Sequence, residues 1–406
     1  MLATLKPVFD KEMSVQGYRI IAQRENYLKN ISLVGTGNLD TASDILGIDI
    51  VNILKDEAFE SYQRIFVEVS NIALFTDFES DVEISPARLV LMVDGSISPT
   101  REYTERIEEL KDKGYGLAIR GVSGQKLMEF GKVLKLMEFV VLDNEKNDVS
   151  APARVLKKSF PKIKVIADNV SSMEAFITLK DRGECDLYAG SFYAIPVTVK
   201  KQDISPVKMT YLRLLNYMNS KDFDLKKASD IISQDPALVI SLLKNANRRS
   251  RNSDITSIPN AAAMMGQADL KSWAHTAITK ELCADKPGEI TRLSLVRAQF
   301  FKNIAGFFEM KGFASELFLT GLFSVIDVIL DVPMEEALSK VHVSDDIRRV
   351  LVEHDGPLSP VYDFALAYEN GDFQYADREM LIRNIESDDI YKAFTDALKW
   401  YRAAFL

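Results

Sequence analysis

The sequence predicts an α/β barrel followed by an all-α half, and three observations carry that reading. Short apolar and β-branched runs recur at intervals of about 25 residues through the first two hundred positions, the length of one strand-helix unit. The runs are continuous rather than alternating, as expected of parallel strands covered on both faces. Past residue 206 that rhythm stops and apolar residues fall at helical spacing instead.

Six strand runs are clear, at 65–69, 89–93, 116–119, 139–142, 164–167 and 187–189, and two candidate strands precede them at 6–9 and 17–21. Helix-like stretches lie between. Tyr103, Ile107 and Leu110 share one face ahead of Gly114, a plausible stop, and Met173, Phe176, Ile177 and Leu179 precede Gly183 in the same way. Seven or eight such units close most economically into a (β/α)₈ barrel, whose chemistry lies at the carboxyl ends of its strands. A doubly wound open sheet is the alternative. It usually brings a phosphate-binding glycine fingerprint, and Gly35-Thr36-Gly37 lacks both the third glycine and a preceding apolar strand.

A polar hinge at 196–206, through Lys200, Lys201, Gln202 and Asp203, marks the expected boundary between domains at 1–200 and 201–406. Beyond it, Leu225, Ala228, Ile231 and Ile232 form a stripe behind Asp224, an apt N-cap. Asp235 caps the next helix. Pro236 takes its first turn, where a missing N–H costs nothing, and Val239, Leu242, Leu243 and Ala246 supply the buried face.

Composition narrows the function classes. The 406 residues predict two or three domains at roughly 150 residues each, and 47% hydrophobic with 27% charged residues describes a folded chain rather than a disordered one. With 59 acidic against 50 basic side chains the net charge is −9, which disfavours sequence-independent nucleic-acid binding. Arg248, Arg249 and Arg251 read as a solvated helix end. Cys185 and Cys283 lack a CxxC partner and fit buried thiols in a reducing cytosol. The amino-terminal apolar stretch is too short for a signal peptide, so a cytoplasmic location is expected. The apolar segment 317–330 is interrupted by Ser324 and Asp327, short of the roughly 18 uncharged residues a membrane span requires. Gly121-Val122-Ser123-Gly124 lacks the spacing of a nucleophile elbow.

Particular segments carry a resemblance. Lys6-Pro7-Val8-Phe9-Asp10 with Gly17-Tyr18-Arg19-Ile20-Ile21-Ala22-Gln23 is similar to the first hairpin of EAL barrels, the cyclic-di-GMP phosphodiesterase fold. Residues 114–119 and 189–196 resemble that family's fifth-strand approach and closing segment. In the helical half, Asp235-Pro236-Ala237-Leu238, the run Leu242-Leu243-Lys244-Asn245-Ala246-Asn247, Ile255-Thr256-Ser257-Ile258, Met265-Gly266, Leu270 and Trp273 resemble an HDOD domain, in the right order. The resemblance therefore implies a modified TIM barrel of the EAL kind followed by an all-α HDOD domain with a C-terminal helical extension.

Active members of the barrel family hold two divalent cations in a ring of carboxylates, which polarise the phosphate and activate water. Carried over residue by residue, the acidic position of the first motif strand is Arg19 here, the asparagine of the next is Glu68, and the paired aspartates after the central strand are Arg120 and Gly121. The lysine position is Val141, the late glutamate is Asp168, the glutamine before Gly190 is Ala189, and the motif's arginine is Gln23. Asp94 and Leu91 hold the third-strand positions. Ser324 and Val325 stand where related HD-type hydrolases have a His-Asp metal pair, and His275, His342 and His354 read as packed or surface histidines.

Two guanidinium groups in a pocket for dications oppose metal binding, because arginine does not give up its charge. The expectation is a regulator that is not an enzyme, with no catalytic residues, metal or cofactor, in which Glu68, Asp94, Asp143 and Asp168 pair with Arg19 and Arg120. An alternative makes Arg19 and Arg120 a fork for phosphate, turning the barrel into a cyclic-di-GMP receptor, though the four acids disfavour that ligand; residual phosphodiesterase activity is a second alternative. The regulator is expected to act by binding an unknown protein. The resemblance points to signalling around motility, surface attachment or biofilm formation, with motility or pilus machinery as the partner.

Overall fold

The computed structural model describes residues 1–24, 47–53, 63–95, 99–122, 129–145, 148–195, 204–220, 222–249 and 255–405. Gly35 to Gly37, Ser123, Gly124, Arg251 and the hinge residues 200–203 lie outside them. Eight strands close into a barrel in chain order: β1 (Leu2–Phe9), β2 (Val15–Gln23), β3 (Arg64–Glu68), β4 (Leu89–Asp94), β5 (Gly116–Arg120), β6 (Phe139–Asp143), β7 (Lys164–Asp168) and β8 (Leu187–Ala189). Pairing of Val8 with Ala189 and Phe9 with Tyr188 seals the ring, so the open sheet is not formed.

From β2 round to β8 the strands are parallel, but β1 runs antiparallel to both neighbours. Residues 10–14 are too few for the crossover of a dozen or so residues that a parallel pair needs. Asp10 fastens the turn instead. Its Oδ1 accepts from the Glu12 and Ser14 amides at 2.9 Å each, and Met13 takes a left-handed φ of 62°.

Helices α1 (Ile48–Ile53), α2 (Arg101–Asp112), α3 (Gly131–Leu134), α4 (Ser150–Ser159) and α5 (Met173–Arg182) accompany the strands. α2 starts where the Thr100 side chain accepts from the Tyr103 amide, and it buries Tyr103, Ile107 and Leu110. Ser172 caps α5, which ends at Gly183 in the left-handed conformation, a backbone that costs glycine little. Inside the barrel Val8, Phe66, Val90, Met92, Ala118, Phe139, Val141, Ile166, Leu187 and Ala189 fill the space as one buried cluster. Phe66 and Phe139 meet edge to face at 5.1 Å.

The rest of the chain is helical: α6 (Pro206–Asn219), α7 (Leu225–Ile232), α8 (Pro236–Arg249), α9 (Ile258–Leu282, broken at Gly266), α10 (Gly288–Ile304), α11 (Ala314–Phe323), α12 (Ile326–Leu330), α13 (Met334–Leu338), α14 (Asp345–Glu353), α15 (Ser359–Asn370), α16 (Phe373–Arg383) and α17 (Ser387–Phe405). The caps read from the sequence are in place. Asp224 accepts from the Lys227 amide at 2.9 Å, and Asp235 Oδ1 accepts from the Ala237 and Leu238 amides at 2.8 and 3.1 Å.

The chain divides into two compact units. One comprises Met1–Ile195, Asn303–Lys311 and Asp363–Leu406, the other Pro196–Lys302 and Gly312–Tyr362. The C-terminal helices, expected to extend the helical half, thus group with the barrel. A hairpin without a crossover helix leaves the outer face of β1 bare, and α17 packs against both β1 and α1. Among the described residues no helix is long and apolar enough to cross a membrane.

Candidate functional site

Side chains along a strand alternate between faces, so the filled interior continues upward every second residue. Two positions beyond Phe66, Met92, Ala118, Val141 and Ile166, at the carboxyl ends of β3 to β7, stand Glu68, Asp94, Arg120, Asp143 and Asp168. β1 runs the other way, so Lys6 lies above Val8, and its register partner on β2 is Arg19. Lys6, Arg19 and Arg120 therefore face Glu68, Asp94, Asp143 and Asp168 across the barrel mouth, three positive against four negative side chains.

Arg19 is the hub. Its Nη2 donates to Glu68 Oε1 at 2.6 Å and its Nη1 to Asp168 Oδ2. The Arg19 side chain is 12% exposed, Glu68 12% and Asp168 9%. Burial opposes the guanidinium charge, yet the carboxylates of Asp168 and Glu68 outweigh it and hold the Arg19 pKa above its ordinary value. Arg120 reaches the other Glu68 oxygen at 3.1 Å and Asp94 at 3.8 Å, and at 32% exposure it is the guanidinium turned toward solvent. One carboxylate thus joins both sequence-predicted arginines.

Two polar atoms in the cluster are left over. Asp168 Oδ1 and Arg19 Nε are buried without a hydrogen-bond partner. Asp143 is held by Asn169, whose Nδ2 donates to Asp143 Oδ1 at 3.0 Å. Lys6, which sequence reasoning passed over, has its pKa lowered by burial, a shift that Asp168 opposes and Arg19 reinforces. Its signal was the two-residue step from Val8, legible only once the direction of β1 is known.

In the helical half His275 is buried. Its Nε2 lies 2.8 Å from Asn219 Oδ1, and burial, helped by Lys271, pushes its pKa down to about 4. Ser324 accepts from Arg297 at 3.0 Å, and burial raises the pKa of Asp327. Among the described residues no group of three or more His, Cys, Asp or Glu side chains is arranged for a metal ion. In the barrel mouth the residues as placed do not fit a divalent cation, because Arg19 already occupies the inner oxygens of Glu68 and Asp168.

The fold and this charged mouth define a closed strand barrel followed by an HDOD domain, since residues 204–349 match the HDOD domain model. The helical region that follows the barrel thus contains an HDOD domain. It is 24% identical over 319 residues, 77% of this chain and 73% of the relative, to a Vibrio cholerae protein named cyclic di-GMP phosphodiesterase CdgJ. It is also 22% identical over 406 residues, 97% of this chain and 96% of the relative, to the Bacillus subtilis protein YuxH, named as uncharacterized. Among solved structures, the PaMucR phosphodiesterase in complex with c-di-GMP aligns with 47% of this chain and 94% of its own at 15% identity and a TM-score of 0.36. A standalone EAL protein from Vibrio cholerae O395, bound to c-di-GMP, aligns with 48% and 91% at 17% identity and a TM-score of 0.36.

The expectation that this chain is not an enzyme is corrected by the first of these relatives, a named phosphodiesterase aligned across most of its length. That expectation took the arginines as fixed obstacles to a metal and the acids beside them as no more than their ion-pair partners.

Proposed function

We propose that the chain acts in cyclic-di-GMP signalling as a phosphodiesterase of the EAL-HDOD kind, with the barrel mouth as the site that receives the dinucleotide. The observation that carries this reading is the alignment over 77% of the chain with the named phosphodiesterase. The geometry supports it with an inward cluster of Glu68, Asp94, Asp143 and Asp168 at the carboxyl ends of parallel strands, where barrel enzymes carry their chemistry. Of the expected phosphate fork, Arg120 is the accessible arm and meets the anionic phosphate first. Arg19 lies behind it, occupied by its two carboxylates. The HDOD helices carry the contact to a protein partner.

The purified full-length chain, incubated with cyclic-di-GMP and Mg²⁺ or Mn²⁺, is expected to release the linear dinucleotide, read by chromatography. Absence of product above the no-protein control, over a wide range of metal concentration, would overturn the reading. Arg120→Ala is expected to raise KM at least several-fold.

A further inference from the structure

The crossover from β3 to β4 carries three short 3-10 turns instead of an α-helix, at 73–75, 79–81 and 86–88. The first is firmly held. Ser70 Oγ accepts from the Ala73 amide at 2.9 Å, and Arg106 on α2 donates from Nε to the Leu74 carbonyl at 2.8 Å and from Nη2 to the Thr76 carbonyl at 3.3 Å. Ala73 and Leu74 are buried beneath the turn. Residues three apart in a 3-10 turn stand one above the other, and the Phe75 amide donates to the Ile72 carbonyl at 3.1 Å, so Ile72 and Phe75 share one side of it. That side faces solvent. Ile72 is 48% and Phe75 54% exposed, and among the described residues no phenylalanine is more exposed. A lone apolar side chain on a surface is ordinary. Two side by side, on a turn whose backbone is already fixed, form a preorganised anchor.

The charge in this crossover has one sign. Between Ser70 and Ala87 the chain has the acids Asp77, Glu79, Asp81 and Glu83 and no lysine or arginine. Glu79 is answered by Arg106 at 3.2 Å and Lys113 at 2.8 Å, whereas Asp77 and Asp81 are exposed and form no ion pair among the described residues. An apolar anchor with a negative rim suits a partner of the opposite charge and repels anionic lipid and nucleic acid. A second copy meeting this face with its own would set like charges together. We infer that Ile72 and Phe75 are a docking site on the barrel for a basic amphipathic segment of a protein partner, whose apolar face covers the two side chains while its lysines or arginines meet Asp77 and Asp81. None of these residues belongs to the barrel mouth, so the docking site stands whether or not the chain hydrolyses cyclic-di-GMP.

The test uses the full-length chain and a fluorescently labelled amphipathic helical peptide of leucine and lysine, read by anisotropy, beside a leucine-glutamate peptide of the same pattern. The basic peptide is expected to bind and the acidic one not. Ile72→Ser combined with Phe75→Ser should weaken binding at least tenfold with unchanged circular dichroism. Asp77→Asn combined with Asp81→Asn should flatten the dependence of binding on salt, since the contacts removed are the ones salt screens. Should the double serine variant fail to fold, Phe75→Ser alone replaces it with the same outcomes. Binding that survives removal of the apolar pair overturns the inference, because it is then the general attraction of a chain of net charge −9 for a cation. Equal binding of the acidic peptide, or no binding of the basic one, overturns it as well, as does a dimer of this chain that Phe75→Ser dissolves.

Discussion

The Tyr368 hydroxyl donates to the carbonyl of Ala3 at 2.7 Å and accepts from the Ala3 amide at 3.3 Å, so one side chain from α15 satisfies both backbone groups of a residue on the first barrel strand. Tyr368 is fully buried, its phenol pKa raised by that burial. Tyr368→Phe keeps the ring and strands two polar groups. We expect a loss of about 1–3 kcal/mol in urea unfolding at an unchanged m-value. A loss below a few tenths would mean that water replaces the hydroxyl.

The same contact says that the barrel does not end at residue 195. Gln23 on β2 donates to Asp377 Oδ2 at 2.7 Å, Asn303 Nδ2 donates to the Ala393 carbonyl at 2.8 Å, and α17 covers β1. A chain ended before Asp363 loses the side chain that satisfies Ala3, the partners of Thr4 and Gln23, and the helix packed on β1. It is expected to yield an aggregating or molten barrel, lacking near-ultraviolet circular dichroism and binding hydrophobic dye. A sharp cooperative melt from residues 1–200 alone would refute this.

How much of this was legible depended on whether the information was local. Six parallel strands announced themselves as continuous apolar runs because a strand buried on both faces has no polar side, and the caps at Asp224 and Asp235 are local chemistry. The inward aim of Arg19 and Arg120 came from motif position; Arg19 stands opposite Phe66 in the register of its neighbouring strand, and Arg120 two residues above Ala118. Lys6 was not legible, since its face follows from the antiparallel run of β1 that the short turn at Asp10 imposes. Nor was the cover provided by α17. An amphipathic helix shows in its sequence that it needs a partner but not which one. That Glu68 would join both arginines required the closed ring itself.

Glu68 is the acid whose removal disturbs the mouth most. Glu68→Gln leaves Arg19 with one carboxylate and Arg120 with the more distant Asp94, in a site where Arg19 is nearly buried. Breaking a buried pair from one side typically costs about 3–5 kcal/mol, so a loss of about 3 kcal/mol is expected for this partly compensated case. A change under about 0.5 kcal/mol would place the pair among solvated surface contacts.

His275 gives the helical half a pH signature. Burial pushes its pKa down to about 4 from the ordinary 6.5. Between those values the unfolded chain binds a proton that the folded chain refuses, so stability from this group rises with pH through that window and falls as pH drops through it. The desolvating environment and Lys271 disfavour the charged ring, and its neighbours Asn219 Oδ1 and Phe318 carry no negative charge to reverse the sign. A shift of that size corresponds to a few kcal/mol, and most of it should be lost between pH 7 and pH 4. Denaturant midpoints measured from pH 4 to 7 should slope less steeply in His275→Gln than in the unsubstituted chain. Parallel slopes in the two proteins would show that other groups carry the acid sensitivity.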